Sequence, residues 1–232
     1  MLRVSNLSKK YKQTTALSDI SIDFKKGKVY GVLGANGAGK TTLFKAITGL
    51  LPTYEGEILW NGQPIRGKEG PRIGFMIEEP CFFPGLTGKE NLELFARLFD
   101  GFEEKTINDA IAQVGLIGKG GQKYSSYSTG MKQRLYFAYA IMANPEILVL
   151  DEPFNGLDPL GVQRLSKIIA DFSKKGSLVL ISSHSIRDLQ AMLDAALFMD
   201  QGRIIETLES VSSVDLFQRY IDLIGRDGGG LR

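Results

Sequence analysis

Gly34-Ala35-Asn36-Gly37-Ala38-Gly39-Lys40-Thr41 follows the apolar run Val29 to Leu33 and precedes the helix-favouring LFKAITGLL. This is G-x-x-x-x-G-K-[ST] at a strand-to-helix junction, the context in which that pattern has a mechanism. Glycines let successive backbone N–H groups turn inward around a phosphate, and the helix that follows points its positive end at it. Gly34, Ala35, Asn36, Gly37, Ala38, Gly39, Lys40, Thr41 and Thr42 are therefore the candidate nucleotide-binding residues. Lys40 reaches the outer phosphates, and the Thr41 hydroxyl is left for Mg²⁺.

A second stretch, Ile147-Leu148-Val149-Leu150-Asp151-Glu152, reads as a buried strand ending in two carboxylates. An open α/β sheet places its ligand crevice at that end of its strands. Asp151 is suited to orient a Mg²⁺ shell and Glu152 to polarise an attacking water as general base.

Short apolar runs bounded by turn residues alternate with amphipathic stretches, which predicts an α/β fold with a buried, mainly parallel sheet. The expected strands are Asp19 to Phe24, Lys28 to Leu33, Gly56 to Trp60, Ile73 to Ile77, Ile147 to Leu150, Leu178 to Ser182 and Ala196 to Met199. From about Leu86 to Ala143 the pattern is helical instead. Thr87 with Glu90 forms a capping box ahead of Leu92, Phe95 and Phe99; Ile107, Ile111 and Val114 share a face up to Gly115; and a third helix runs from about Ser128 to Ala143. This block reads as a helical insert. Asp158-Pro159 is an N-cap and first-turn proline for a helix that ends at Gly176, and VSSVDLFQRYIDLIG is expected to form a last helix before the tail GRDGGGLR.

The chain has 232 residues, enough for one large domain with an appendage. With 43% hydrophobic and 23% charged residues it can bury a core, which excludes disorder and coiled coil. A net charge of +2 gives no electrostatic footprint for nucleic acid, so no nucleic-acid partner is expected. One cysteine, Cys81, and one histidine, His184, leave neither an internal disulfide nor a Cys/His zinc site, which fits a reducing compartment. No run approaches the roughly 18 apolar residues of a membrane span, and MLRVSNLSKKY has no apolar signal core.

Read together, these residues resemble the ATP-binding subunit of an ABC transporter over nearly the whole chain. In that family's terms Gly34 to Thr42 is the Walker A segment, ILVLDE is Walker B, and YSTGMKQRL at Tyr127 to Leu135 stands at the signature. Asn155-Gly156-Leu157-Asp158 is similar to the D-loop, His184 in ISSHS to the switch histidine, and Tyr11 to the aromatic that stacks on adenine.

The resemblance implies a P-loop NTPase (RecA-like) core with an N-terminal antiparallel β part and a helical subdomain. Its ATPase domain would cover 1–208, with the insert at about 81–145 and a C-terminal helix and tail at 209–232. It further implies Mg-ATP held between two ATPase subunits, identical or homologous, each contributing a P-loop and the other's signature contacts through Ser128, Thr129 and Gly130. His184 would contact the γ-phosphate, Asp158 would communicate across the dimer, and a separate transmembrane permease would hold the protein on the inner face of the membrane. Hydrolysis is assigned to Glu152, His184 and Glu78.

Two positions depart from the family pattern. The signature has lost one glycine and its final glutamine, and IGFMIEEP carries Glu78 where glutamine is usual. Glu78 is expected beside Asp151 and Glu152 as a further Mg²⁺ ligand, although two carboxylates about 6 Å apart at an effective dielectric near 20 repel by roughly 3 kcal/mol. The acidic EEP loop together with YSTGM resembles exporters for bacitracin or lantibiotic resistance and immunity. The alternatives are a soluble non-transport ABC ATPase, a regulatory nucleotide-binding module, and a small-molecule P-loop kinase, the last of which leaves the signature and D-loop unexplained.

Overall fold

The computed structural model describes residues 1–67, 69–78, 82–97, 104–183 and 185–226. Of the residues singled out from sequence, Glu79, Pro80, Cys81, Phe99 and His184 lie outside that set.

Among the described residues, ten strands form two sheets. The first is antiparallel, in the order β2-β1-β4-β5, from β1 (Leu2–Tyr11), β2 (Thr14–Phe24), β4 (Glu55–Trp60) and the short β5 (Gln63–Pro64). The second has the order β10-β9-β3-β8-β7-β6, from β3 (Val29–Leu33), β6 (Ile73–Met76), β7 (Ile147–Asp151), β8 (Leu178–Ser182), β9 (Ala195–Asp200) and β10 (Arg203–Leu208). All its pairings are parallel except that of β10 with β9.

The continuous apolar runs make sense once both faces of this sheet are covered. Val29, Leu33, Leu148, Leu150, Val179 and Ile181 face one core, which also holds Leu135, Ala138, Leu165 and Ile169. Tyr30, Val32, Val149, Leu178 and Leu180 face the other, shared with Leu43 and Phe44 and with Leu2, Val4 and Ile20 of the antiparallel sheet.

The helices begin where their caps predict. Thr87 and Glu90 close a full capping box on α2 (Gly88–Ala96), Ser128 caps α4 (Thr129–Met142), and Asp158 caps α5 (Pro159–Lys174) with proline in its first turn. Helix α1 (Lys40–Ile47) starts inside the phosphate-loop motif, and α3 is Glu104–Gln113. Helix α6 (Ile186–Gln190) is short, and α7 (Leu216–Arg226) starts later than the sequence suggests. Tyr220 of α7 stacks on Phe198 of β9 at 6.4 Å, Arg219 pairs with Glu206 of β10, and Gln190 ties α6 to Val214 and Leu216.

Three strands escape sequence reading for physical reasons. In β1 the alternation of buried Leu2, Val4 and Leu7 is broken by a bulge with Asn6 at φ 49°, which hides the period of two. Strand β10 is an edge strand with no fully buried residue, and β5 has two residues. The N-terminal half of β2, Thr14 to Ser18, is mostly polar and extends the expected strand toward the phosphate loop.

Helix α4 lies directly on β6. A Cβ at Gly74 would stand 1.9 Å from the Ala140 carbonyl oxygen and 2.9 Å from Pro145, so only glycine permits this approach. Gly74→Ala is expected to cost ~2 kcal/mol or more through overpacking. For a chain of this size that is a fall in Tm of about 4–8 °C. Scanning calorimetry that finds an unchanged Tm would contradict the close packing.

Candidate active site

Strand β3 delivers the loop, and the turn into α1 builds the phosphate cradle. Gly39 is the N-cap of α1 at φ 102°, and a Cβ there would stand 2.6 Å from the Ala16 carbonyl oxygen, so the motif's last glycine is required both for conformation and for space. Asn36, Gly37, Ala38, Gly39, Lys40, Thr41 and Thr42 line a cavity of about 280 Å³ together with Asp151 and Glu152. Thr14, Thr15 and Ala16 of β2 form its remaining wall, a contribution that no motif announces.

Lys40 is only 8% exposed and donates to the carbonyl oxygens of Gly34 (2.7 Å) and Ala35 (3.0 Å). Burial lowers its pKa from the usual lysine value, while Asp151 and Glu152 pull the other way. A cation held by two loop carbonyls within reach of the cradle can exchange those acceptors for phosphate oxygens.

Asp151 ends β7 and is gripped from two sides. Thr41 Oγ1 donates to Asp151 Oδ2 at 2.5 Å, and Ser182 Oγ, at the end of the intervening strand β8, donates to Oδ1. The next residue, Glu152, has a left-handed backbone at φ 52°. Its N–H donates to Ser182 O (3.2 Å) and Oγ (3.3 Å), and Gln133 of α4 donates to the carbonyls of Pro153 (3.0 Å) and Glu152 (3.4 Å). Ser182 and Gln133 are thus structural members of the site that sequence reading missed. Ser182 was visible only as the last residue of an apolar strand, and Gln133 only as one polar residue within YSTGMKQRL.

The other candidates are placed differently. Glu78 does not line the cavity; its side chain is 68% exposed and its carboxylate pairs with Lys45, one turn beyond Thr41 on α1. The expected carboxylate trio therefore does not form, because a lysine on the helix that bears Thr41 neutralises Glu78 instead. Tyr11 lies outside the cavity wall, exposed at the β1–β2 turn, with the Lys9 ammonium 5.1 Å from its ring centroid.

Ser128 accepts from the Met131 N–H at 3.3 Å, and neither it, Thr129 nor Gly130 lines this chain's own phosphate cavity. Thr129 Cγ2 lies 2.9 Å from where a Cβ of Gly156 would stand, so the residue that replaces a signature glycine leans on the D-loop segment of its own chain. Asp158 Oδ1 accepts from the Gly161 N–H at 2.8 Å as a helix cap, and its side chain is at the surface. Among the described residues, no helix is long and apolar enough to cross a membrane.

Comparison with known proteins agrees with this geometry. The family model described as ABC transporter matches residues 17–155, more than half of the chain. A lantibiotic transport ATP-binding protein, SrtF of Streptococcus pyogenes, is 37% identical over 220 residues, covering 95% of this chain and 96% of that protein. The bacitracin transport ATP-binding protein BcrA of Enterococcus faecalis is 35% identical over 232 residues, covering 98% of this chain and 75% of that protein. A solved ATP-binding subunit of an ABC transporter superposes with a TM-score of 0.81 at 28% identity, covering 97% of this chain and 95% of the other. With a phosphate loop and two strand-end carboxylates around one cavity, and relatives of this kind along its whole length, the chain belongs to the ABC transporter family as an ATP-binding, ATP-hydrolysing subunit.

Proposed function

We propose that this subunit is the motor of an exporter for antimicrobial peptides, working as a pair of ATPase subunits on the cytoplasmic face of a separate membrane-spanning permease. The observation that carries the motor reading is the Thr41–Asp151 hydrogen bond at 2.5 Å, which joins the phosphate loop to the carboxylate-bearing strand across one cavity. The cargo class is supported by the names of the relatives, a lantibiotic and a bacitracin transport protein.

In this reading residues 1–208 are the ATPase domain, residues about 81–145 its helical insert, and residues 209–232 a C-terminal helix and tail, of which α7 packs on β9 and β10 through Tyr220 and Arg219. The loop N–H groups and Lys40 hold the β- and γ-phosphates, and the exposed face of Tyr11 stacks on adenine. Thr41 and Asp151 form the oxygen donor pair that suits Mg²⁺, an ion that takes few protein ligands and completes its shell with phosphates and water. Held by Thr41 and Asp151, Mg²⁺ would supply charge neutralisation to the phosphates.

Glu152, adjacent to the clamped Asp151, is the base that orients the attacking water, and His184 assists at the γ-phosphate. Glu78, paired with Lys45 at the rim, acts on hydrolysis from the loop that faces the permease. The α4 N-terminus, with Ser128, Thr129 and Gly130, carries backbone N–H groups free of this chain's own cavity. They suit the γ-phosphate bound by the other subunit, while Asp158 reports across the pair.

Glu152→Gln is expected to lower kcat by about 10²- to 10⁴-fold with ATP binding retained, and to elute as a dimer in gel filtration with ATP. A variant that still turns over, or stays monomeric with ATP bound, would overturn the paired-motor reading. Glu78→Gln is expected to leave KM for ATP within a few-fold and to lower kcat about tenfold. Unchanged hydrolysis together with unchanged transport in a reconstituted complex would remove Glu78 from the mechanism.

A further inference from the structure

Tyr136 lies in the middle of α4, and its hydroxyl makes two hydrogen bonds to a single residue. It accepts from the Ile77 N–H at 2.8 Å and donates to the Ile77 carbonyl at 3.0 Å. Both residues are buried, Tyr136 at 7% exposure and Ile77 at 4%. Ile77 follows β6 and directly precedes Glu78, so this backbone has left the sheet ladder and takes its partners from a side chain instead. A phenol is one of the few side-chain groups able to serve an N–H and a C=O at once. Burial raises the Tyr136 pKa well above the usual tyrosine value and outweighs the lowering by the Ile77 hydrogen bond, with Tyr139, Glu78 and Asp151 adding to the rise, so the hydroxyl keeps the proton needed for the donated bond.

The ring itself is fixed. Tyr139 stacks on it at 6.2 Å, Phe82 meets it edge-on at 6.3 Å, and α4 is pressed on β6 at Gly74. One turn earlier on the same helix, Gln133 holds the carbonyls of Glu152 and Pro153. Glu78 and Glu152 are both non-glycine residues in left-handed conformation, at φ 61° and 52°, a state that persists only when the surroundings over-determine it. Helix α4 supplies part of that determination at each of the two turns.

We propose that Tyr136 is a positioning residue for ATP hydrolysis: by holding the N–H and C=O of Ile77, its hydroxyl sets the turn that carries Glu78, so Glu78 moves with α4. This rests on the reading above that Glu78 acts in hydrolysis. The helix capped by Ser128 then carries Glu78 through Tyr136 and the Glu152 turn through Gln133. A shift of its N-terminus is transmitted to both carboxylates without passing through the phosphate loop.

The test is a double-mutant cycle on the full chain, measuring ATPase kcat and KM with Tyr136→Phe, Glu78→Gln and both together, and with Tyr139→Phe as a matched loss of a hydroxyl from the same cluster. Tyr136→Phe is expected to lower kcat about five- to tenfold with KM for ATP within about twofold, Tyr139→Phe to leave kcat within about twofold, and the double variant to fall no further than about threefold below the weaker single variant. Tyr136→Phe with unchanged kcat beside an impaired Glu78→Gln, or losses that multiply in the double variant, would overturn the inference. An active Glu78→Gln with normal kcat would instead remove the role of Glu78 on which it rests.

Hydrogen exchange on the wild-type chain gives a measurement independent of how well the variants fold. The Ile77 amide is expected to exchange as slowly as those of mid-α4, and exchange at the rate of an open loop would refute the clamp.

Discussion

Asp151 is the point on which the site depends. Its two carboxylate oxygens are taken by hydroxyls from two other elements, Thr41 at the start of α1 and Ser182 at the end of β8. Strand β8 lies between β3, which launches the phosphate loop, and β7, which ends in Asp151, so the two motifs are not neighbours in the sheet. They meet because the parallel strands end together, with Val32 and Asp151 both in register with Ser182, and because α1 starts at that same end with Thr41 in its first turn. A half-buried carboxylate still loses hydration, and here both oxygens are satisfied by groups that also fix the loop relative to the strand.

That constraint propagates along the chain. Immediately after Asp151, the left-handed turn at Glu152 is held on one side by Ser182 and on the other by Gln133, which places helix α4 in contact with the carboxylate-ended turn. The same helix reaches the end of β6 through Tyr136 and packs against it at Gly74. Helix α4 is therefore tied to the sheet at two carboxylate-bearing turns, while its own N-terminus stays outside the phosphate cavity. Such a helix connects a surface outside the phosphate cavity with the turns that border it.

Glu78 illustrates how local charge alters a reading based on position. Three carboxylates near one phosphate site repel strongly, and the fold avoids this by turning Glu78 to Lys45. The pair is largely open to water on the glutamate side, where such an interaction adds little to stability. Its consequence is orientation: it keeps the acidic side chain against the helix that carries Thr41 and outside the cavity lining.

Sequence alone determined the phosphate loop, the carboxylate-ended strand, the helical stretch between β6 and β7 and the caps at Thr87 and Asp158, because each depends on residues close together in the chain. Glycine placement, a buried apolar run and a capping side chain act within one turn or strand, so their spacing is visible in one dimension. The tertiary structure decided what depends on distant segments. Strands β1 and β10 are visible only through pairing, since a bulge or an edge position erases their alternation. The wall from Thr14 to Ala16, the grip of Ser182 on Asp151, the Lys45 partner of Glu78 and the hold of Gln133 and Tyr136 on two loops join residues 19 to 59 or more positions apart. A polar side chain in a helix or at a strand end reads as ordinary until folding brings an unpaired backbone group or carboxylate to meet it, and no spacing rule encodes that meeting.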